Sequence, residues 1–289
     1  MTLLLLGAAP VFALNSYLNW DGNTWPGPEP IASSGSPANP AAVFTNVDGS
    51  GVDITFAWEA GVPFVNATAT GATGPWLAPH DNLPGSIPTE WNNIPTTWAN
   101  ILGPGFIPGK NFLIWRQSTY STKNNPQTLT ISFSKPVSSF GFLLFDVDNN
   151  GLDNTNTPQH WIDRVAIAGN GGASPLYTIY SGNTATPSGN QTNNGNIVVA
   201  GNTLTATANS SLGNLNPGSI NSTVLVDFGV QSLSSVTVDY DTLNVSTFSG
   251  QYIGFSAFRF TPTPVPEPSS LVLLAAGGLV ALRRRRRQA

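Results

Sequence analysis

The segment "TLTISFS", residues 128–134, alternates Thr128, Thr130 and Ser132 with Leu129, Ile131 and Phe133. A period of two sends the hydroxyls to one face and the apolar side chains to the other, as in a half-buried β-strand. The same alternation returns in "TVLVDFG" (223–229) and "SVTVDY" (235–240). "FGFLLFDVD" (140–148), "RVAIAG" (164–169), "LYTIY" (176–180), "NIVVAGNTLTATA" (196–208) and "YIGFSAFRF" (252–260) add further short strands. Turn dipeptides such as Asn150-Gly151, Asn194-Gly195 and Pro217-Gly218 separate them. No stretch of the body sustains a helical period. Short strands with one apolar face predict an all-β protein, an antiparallel β-sandwich of the jelly-roll kind.

Outward from these strands the chain is uneven. All eight tryptophans fall between Trp20 and Trp161. Residues 71–110 are dense in Pro and Gly and poor in alternation, so they read as a long loop excursion, and such loops are usually functional. Residues 14–125 then supply the first part of the sandwich, and 126–261 the more regular strands. One β body over 14–261 is expected, with a division near residue 126 as the alternative.

Composition limits the chemistry. Charged residues make up 9% of the 289 residues, and the formal charge is −4. Setting aside five arginines at the C-terminus leaves 6 basic against 15 acidic residues, a balance of −9. A nucleic-acid partner would require the opposite sign. Cysteine is absent, which excludes disulfides, Cys-ligated zinc and a thiol nucleophile. His80 and His160 are the only imidazoles, and no G-x-S-x-G elbow occurs.

One acidic constellation could bind an ion. "FDVDNNGLDNTNTPQHWIDRV" (145–165) holds Asp146, Asp148, Asn150, Asp153 and Asp163. Its opening matches the first half of a Ca²⁺ loop, but Thr157 stands where the closing Glu of an EF-hand belongs. If the strand continues through Asp148, Asp146 and Asp148 share a face. Asp146, Asp148, Asn150 and Asp163 are therefore the expected metal ligands, Ca²⁺ the expected structural cation, and Arg164 their outer support. The strands around this loop are similar to segments of exported bacterial jelly-roll domains, some of them Ca²⁺-stabilised. A solvated acidic turn is the other reading of the same residues.

The two termini differ from the body. "MTLLLLGAAPVFALNS" (1–16) has an apolar run and then Val11 and Ala13 at the spacing of a signal-peptide cleavage site. Residues 1–13 read as a partial secretory signal peptide whose positive n-region lies upstream, and the mature chain is expected to start near Leu14. At the other end, "TPTPVP" (261–266) reads as a stiff extended linker. Pro266, Glu267 and Pro268 follow, then an apolar run from Leu271 to Leu282, then Arg283, Arg284, Arg285, Arg286 and Arg287. As a helix that run would reach about 18 Å, short of a hydrocarbon core of about 30 Å. The arginines mark the cytoplasmic side. Residues 269–289 thus read as a short transmembrane helix with a positive stop.

This order and position resemble the PEP-CTERM sorting signal of Gram-negative bacteria. The resemblance covers the last 25 or so residues and divides them into a linker and Pro-Glu-Pro motif (262–268) and an anchor (269–289). It implies export, an inner-membrane-tethered precursor, cutting near the Pro-Glu-Pro by an exosortase, and release to the cell surface or extracellular matrix. Pro266, Glu267, Pro268 and the five arginines would then be read by the exosortase, with no catalytic part of their own.

Two functions fit the body. A non-catalytic surface or matrix protein would adhere or contact carbohydrate, with Trp76, Trp91 and Trp98 as candidates for stacking on sugar rings. A secreted polysaccharide hydrolase would need two facing carboxylates, and Glu59 and Glu90 are the body's only glutamates besides Glu29. The scarcity of titratable groups favours the first.

Overall fold

The computed structural model describes residues 14–20, 42–59, 76–79, 113–116, 127–147, 162–180, 197–206, 223–243 and 252–263. They form β1 (Ser16–Leu18), β2 (Ala42–Phe44), β3 (Ile54–Glu59), β4 (Trp76–Pro79), β5 (Leu113–Arg116), β6 (Gln127–Phe145) and β7 (Ile162–Gly169). After these come β8 (Leu176–Tyr180), β9 (Ile197–Ala200), β10 (Thr203–Ala206), β11 (Thr223–Asp227), β12 (Leu233–Leu243), β13 (Tyr252–Phe255) and β14 (Phe258–Pro262). Every strand pairing is antiparallel, as the alternation predicts.

β6 joins the two expected strands "TLTISFS" and "FGFLLFDVD" into one of 19 residues. Lys135-Pro136 does not end the strand; it bulges. Ser132 lies opposite Ser235, and the next pairing is Val137 with Leu233, so the intervening residues loop out of the ladder. Proline has no N–H to give a ladder, and a bulge is where a strand tolerates it. Beyond it Ser139 takes φ 53°, and the strand folds back far enough for the Phe133 and Phe140 rings to lie 5.1 Å apart.

The sheet therefore closes over its own core. The first part of β6 carries β3 and β2 on one side and β12, β7, β10 and β9 on the other. The second part carries β11 and β8 on one side and β13 and β14 on the other, with β5, β4 and β1 beyond. Rings from the two halves meet face to face: Phe56 stacks on Phe258 at 5.9 Å, and Trp115 meets Tyr240 edge-on at 5.5 Å. Leu129, Ile131, Val165, Val236 and Val238 fill the core from one half, with Phe142, Leu144, Val224 and Val226 from the other. Leu143 and Phe145 are fully buried on the opposite face of β6, so the second half is covered on both sides.

Two other expected strands are split. "NIVVAGNTLTATA" turns at Gly201, φ 59°, into the β9–β10 hairpin. "YIGFSAFRF" is interrupted at Ser256-Ala257, where the Ser256 hydroxyl accepts from Leu143 N–H at 2.8 Å. Trp20 reaches the same place, donating its indole N–H to Ser256 O at 2.8 Å while its ring packs edge-on against Phe44, Phe56 and Phe258. The residues just after β1 are thus pinned to the C-terminal strands.

Contacts divide the chain into Leu14–Pro262 and a second unit made of Met1–Ala13 with Thr263–Ala289. Of the second unit, Thr263 alone is described. The expected signal peptide, the transmembrane helix and nearly all of the 71–110 excursion lie outside the described residues. Among the described residues no helix is long and apolar enough to cross a membrane.

Glycine is required where strands crowd. A Cβ on Gly169 would sit 2.6 Å from Leu233 Cδ2 and 2.9 Å from Ala173 Cβ. Gly169→Ala is therefore expected to cost about 1–3 kcal/mol through overpacking, lowering Tm by roughly 2–10 °C for a body of this size. Thermal melts of the two proteins measure it.

Two phenols set an alkaline limit. Burial raises Tyr177 well above its ordinary value of 10 and pushes Tyr180 up to about 12. Above pH 10 the unfolded chain releases these protons while the folded chain retains them, so stability falls as pH rises from about 10 to 12. Tyr177 also donates to Asn202 O at 2.7 Å. Tyr177→Phe should lose about 1 kcal/mol at neutral pH and flatten the alkaline slope, read from denaturant midpoints across pH.

Candidate functional site

Alternation brings polar side chains to one end of the core. On β7, Asp163 follows the parity of Val165 and Ile167 and so points inward, fully buried. The Tyr240 hydroxyl donates to Asp163 Oδ1 at 3.0 Å. Gln127, opposite Tyr240, is also buried. Trp115 closes the group from the other half of the sheet. Trp115 Nε1 and Gln127 Oε1 are buried and have no hydrogen-bond partner among the described residues, so this end of the core is its polar end.

The outer face beside it carries an ion pair. Arg164 lies directly opposite Asp241 and binds it with two donors, Nε to Oδ1 at 2.8 Å and Nη2 to Oδ2. A fork of this kind matches the planar carboxylate. The bond to Asp241 also raises the Arg164 pKa further. One row along, Thr128 donates to Asp239 Oδ1 at 2.6 Å. Asp241 is 1% exposed, so removing Arg164 alone would leave a buried, unpaired carboxylate, the costly way to break such a pair.

The expected cation ligands divide. Asp146 and Asp163 are both buried, whereas Asp148, Asn150 and Asp153 lie outside the described residues. The geometric premise for Asp146 needs correction. β6 ends at Phe145, and Asp146 takes φ 65°, so strand parity does not carry through it to Asp148. Arg164 is likewise engaged with Asp241 on the outer face. Among the described residues no group of three or more His, Asp or Glu could hold a metal ion. The Asp241–Arg164 fork escaped the sequence reading because its partners lie 77 residues apart, and only the β7–β12 register brings them together.

The other candidates are mostly out of view. Of Trp76, only the strand backbone is described; Trp91, Trp98, His80, His160 and Glu90 lie outside the described residues. Glu59 ends β3 opposite Thr128. Thr128 is opposite Asp239 in turn, so the register sets two acidic positions on either side of one β6 residue. Pro266, Glu267, Pro268 and Arg283 to Arg287 also lie outside the described residues.

Comparison with known proteins identifies the tail. No curated protein and no solved structure matches the chain. Residues 264–287 match the PEP-CTERM protein-sorting motif, as the order of Pro-Glu-Pro, apolar run and arginines implies. The chain thus carries a PEP-CTERM sorting motif at residues 264–287, which supports export and sorting by an exosortase.

Proposed function

We propose that the protein is a non-catalytic component of the cell surface or extracellular matrix, its β body contacting polysaccharide and its tail directing it there. The observation that carries this reading is the sorting motif over 264–287 on a chain that is only 9% charged and has two histidines. General acid–base work needs positioned titratable groups, and three of the described carboxylates, Asp163, Asp239 and Asp241, are bonded to Tyr240, Thr128 and Arg164. The tail serves as a temporary membrane tether, and the Trp-bearing segments are the sugar-contacting candidates. A jelly-roll-like sandwich belongs to the same reading, supported by the wholly antiparallel pairing and by consecutive strands such as β7 and β8 lying in opposite halves.

The alternative, a polysaccharide hydrolase, draws its support from the Glu59 and Asp239 positions flanking Thr128. Two backbones of strand spacing separate them by about 10 Å, near the upper end of the separation used by inverting enzymes. Release of reducing sugar from exopolysaccharide by the purified body would establish it.

The sorting role is tested by Glu267→Ala in the native host. The mutant should accumulate as the uncut precursor with an unaltered body, whereas mature protein of normal mass would refute recognition at Glu267. Intact-mass measurement of the surface and membrane fractions reads the outcome.

Calcium is part of this proposal, supported by the burial of both Asp146 and Asp163 beside a segment holding Asp148, Asn150 and Asp153. Saturation at 100 times Kd would add about 2.7 kcal/mol, raising Tm by about 5 °C or more. Asp148→Asn should reduce the gain. A melt indifferent to both Ca²⁺ and chelator would leave a solvated acidic turn.

A further inference from the structure

The register gives the body two unlike ends. At the end where β6 folds back lie the connections β2–β3, β7–β8, β9–β10 and β11–β12, each only two to nine residues long, and the termini Pro79 and Leu113 that flank segment 80–112 point the same way. At the far end lie the strand termini that flank segments 60–75, 117–126, 148–161, 181–196, 207–222 and 244–251. Both chain exits are at the first end. β14 runs toward the fold of β6 and finishes with Pro262 opposite Val137. β1 begins beside it, Ser16 opposite Phe260, and Thr261 Oγ1 donates to Asn15 Oδ1 at 2.7 Å.

A second observation falls on the same end. Leu14 is 84%, Leu176 62% and Val230 92% exposed. Singly, exposed apolar side chains are ordinary. These three are the most exposed of the large hydrophobics among the described residues, and all lie at the end where the chain leaves for its apolar tail. Leu176 opens β8 opposite Asp227, and Val230 sits in the β11–β12 turn.

We infer that the tethered precursor is held with this near end against the lipid surface, Leu14, Leu176 and Val230 toward the bilayer, and the far end facing outward. This rests on the proposal that the tail tethers the precursor. The first and last residues of the body, Leu14 and Pro262, then both lie at the lipid-facing end. The far end, where Asp163, Tyr240 and the Arg164–Asp241 fork lie, is the surface offered to partners outside.

The absence of cysteine makes the test direct. Ser232→Cys places a fluorophore at the exposed near end, and Val198→Cys places one in the far row of Thr205, Arg164 and Asp241. The full-length chain is reconstituted in phosphatidylethanolamine–phosphatidylglycerol vesicles containing an acceptor-labelled lipid. From Leu233 to Asp241, β12 rises roughly 26 Å. Energy transfer at Ser232→Cys should exceed that at Val198→Cys for such an offset, and adding Val230→Ser and Leu176→Ser should narrow the difference. Equal transfer, or more at Val198→Cys, overturns the orientation while leaving the tether intact. Transfer at neither position, with the chain absent from floated vesicles, overturns the tether and the orientation together.

Discussion

The ladder along β6 is the constraint on which the body depends. One strand supplies hydrogen bonds to β3 and β12 through its first part, and to β11, β13 and β14 through its second. Unpaired backbone groups inside a core cost as much as lost hydrogen bonds, so a strand that enters two halves fixes the register of both. The bulge at Lys135-Pro136 and the left-handed Ser139 let one strand do this. A straight β6 of 19 residues would leave two open apolar faces and no enclosed core.

Ion pairs decorate the frame at places where the ladder has already chosen the neighbours. Arg259 lies opposite Gly141, and Asp227 lies opposite Gly141 from the other side. Because Gly141 has no side chain, the Arg259 guanidinium can cross that strand and approach Asp227 at 3.3 Å. A Cβ there would meet Val226 O at 2.9 Å and Arg259 Nη2 at 3.3 Å. That pair is half-exposed and contributes little to stability, whereas the Arg164–Asp241 fork has one partner buried. The expensive feature of the second pair is the buried acid, and the guanidinium keeps it tolerable.

The period of two was enough to read the strand class, because alternation is a local property that Leu129, Ile131 and Phe133 carry in seven residues. "LYTIY" corresponds to β8 residue for residue. Boundaries were less legible. A Pro in a bulge and a Pro ending a strand have the same sequence, so β6 looked like two strands. Gly201 in a hairpin looked like a lapse inside one strand. The parity argument for Asp146 failed for a related reason: a single left-handed residue cancels alternation, and nothing in "FDVD" announces it. The tail was legible throughout because its recognition is linear, whereas the Arg164–Asp241 and Tyr240–Asp163 contacts exist only through long-range register.

The indole of Trp20 donates to a carbonyl 236 residues away. Such a contact, with β1 on β14, cannot form until almost the whole chain is present, and long-range pairings of this kind slow folding. For a chain threaded across a membrane from its N-terminus, that delay is useful. The last strand of the body, β14, stands immediately before the sorting motif in the sequence, so the β body is completed only when nearly all of it is present. In a chain exported from its N-terminus, a body that closes only when β1 pairs with β14 would stay unfolded, and so threadable, until nearly all of it had crossed.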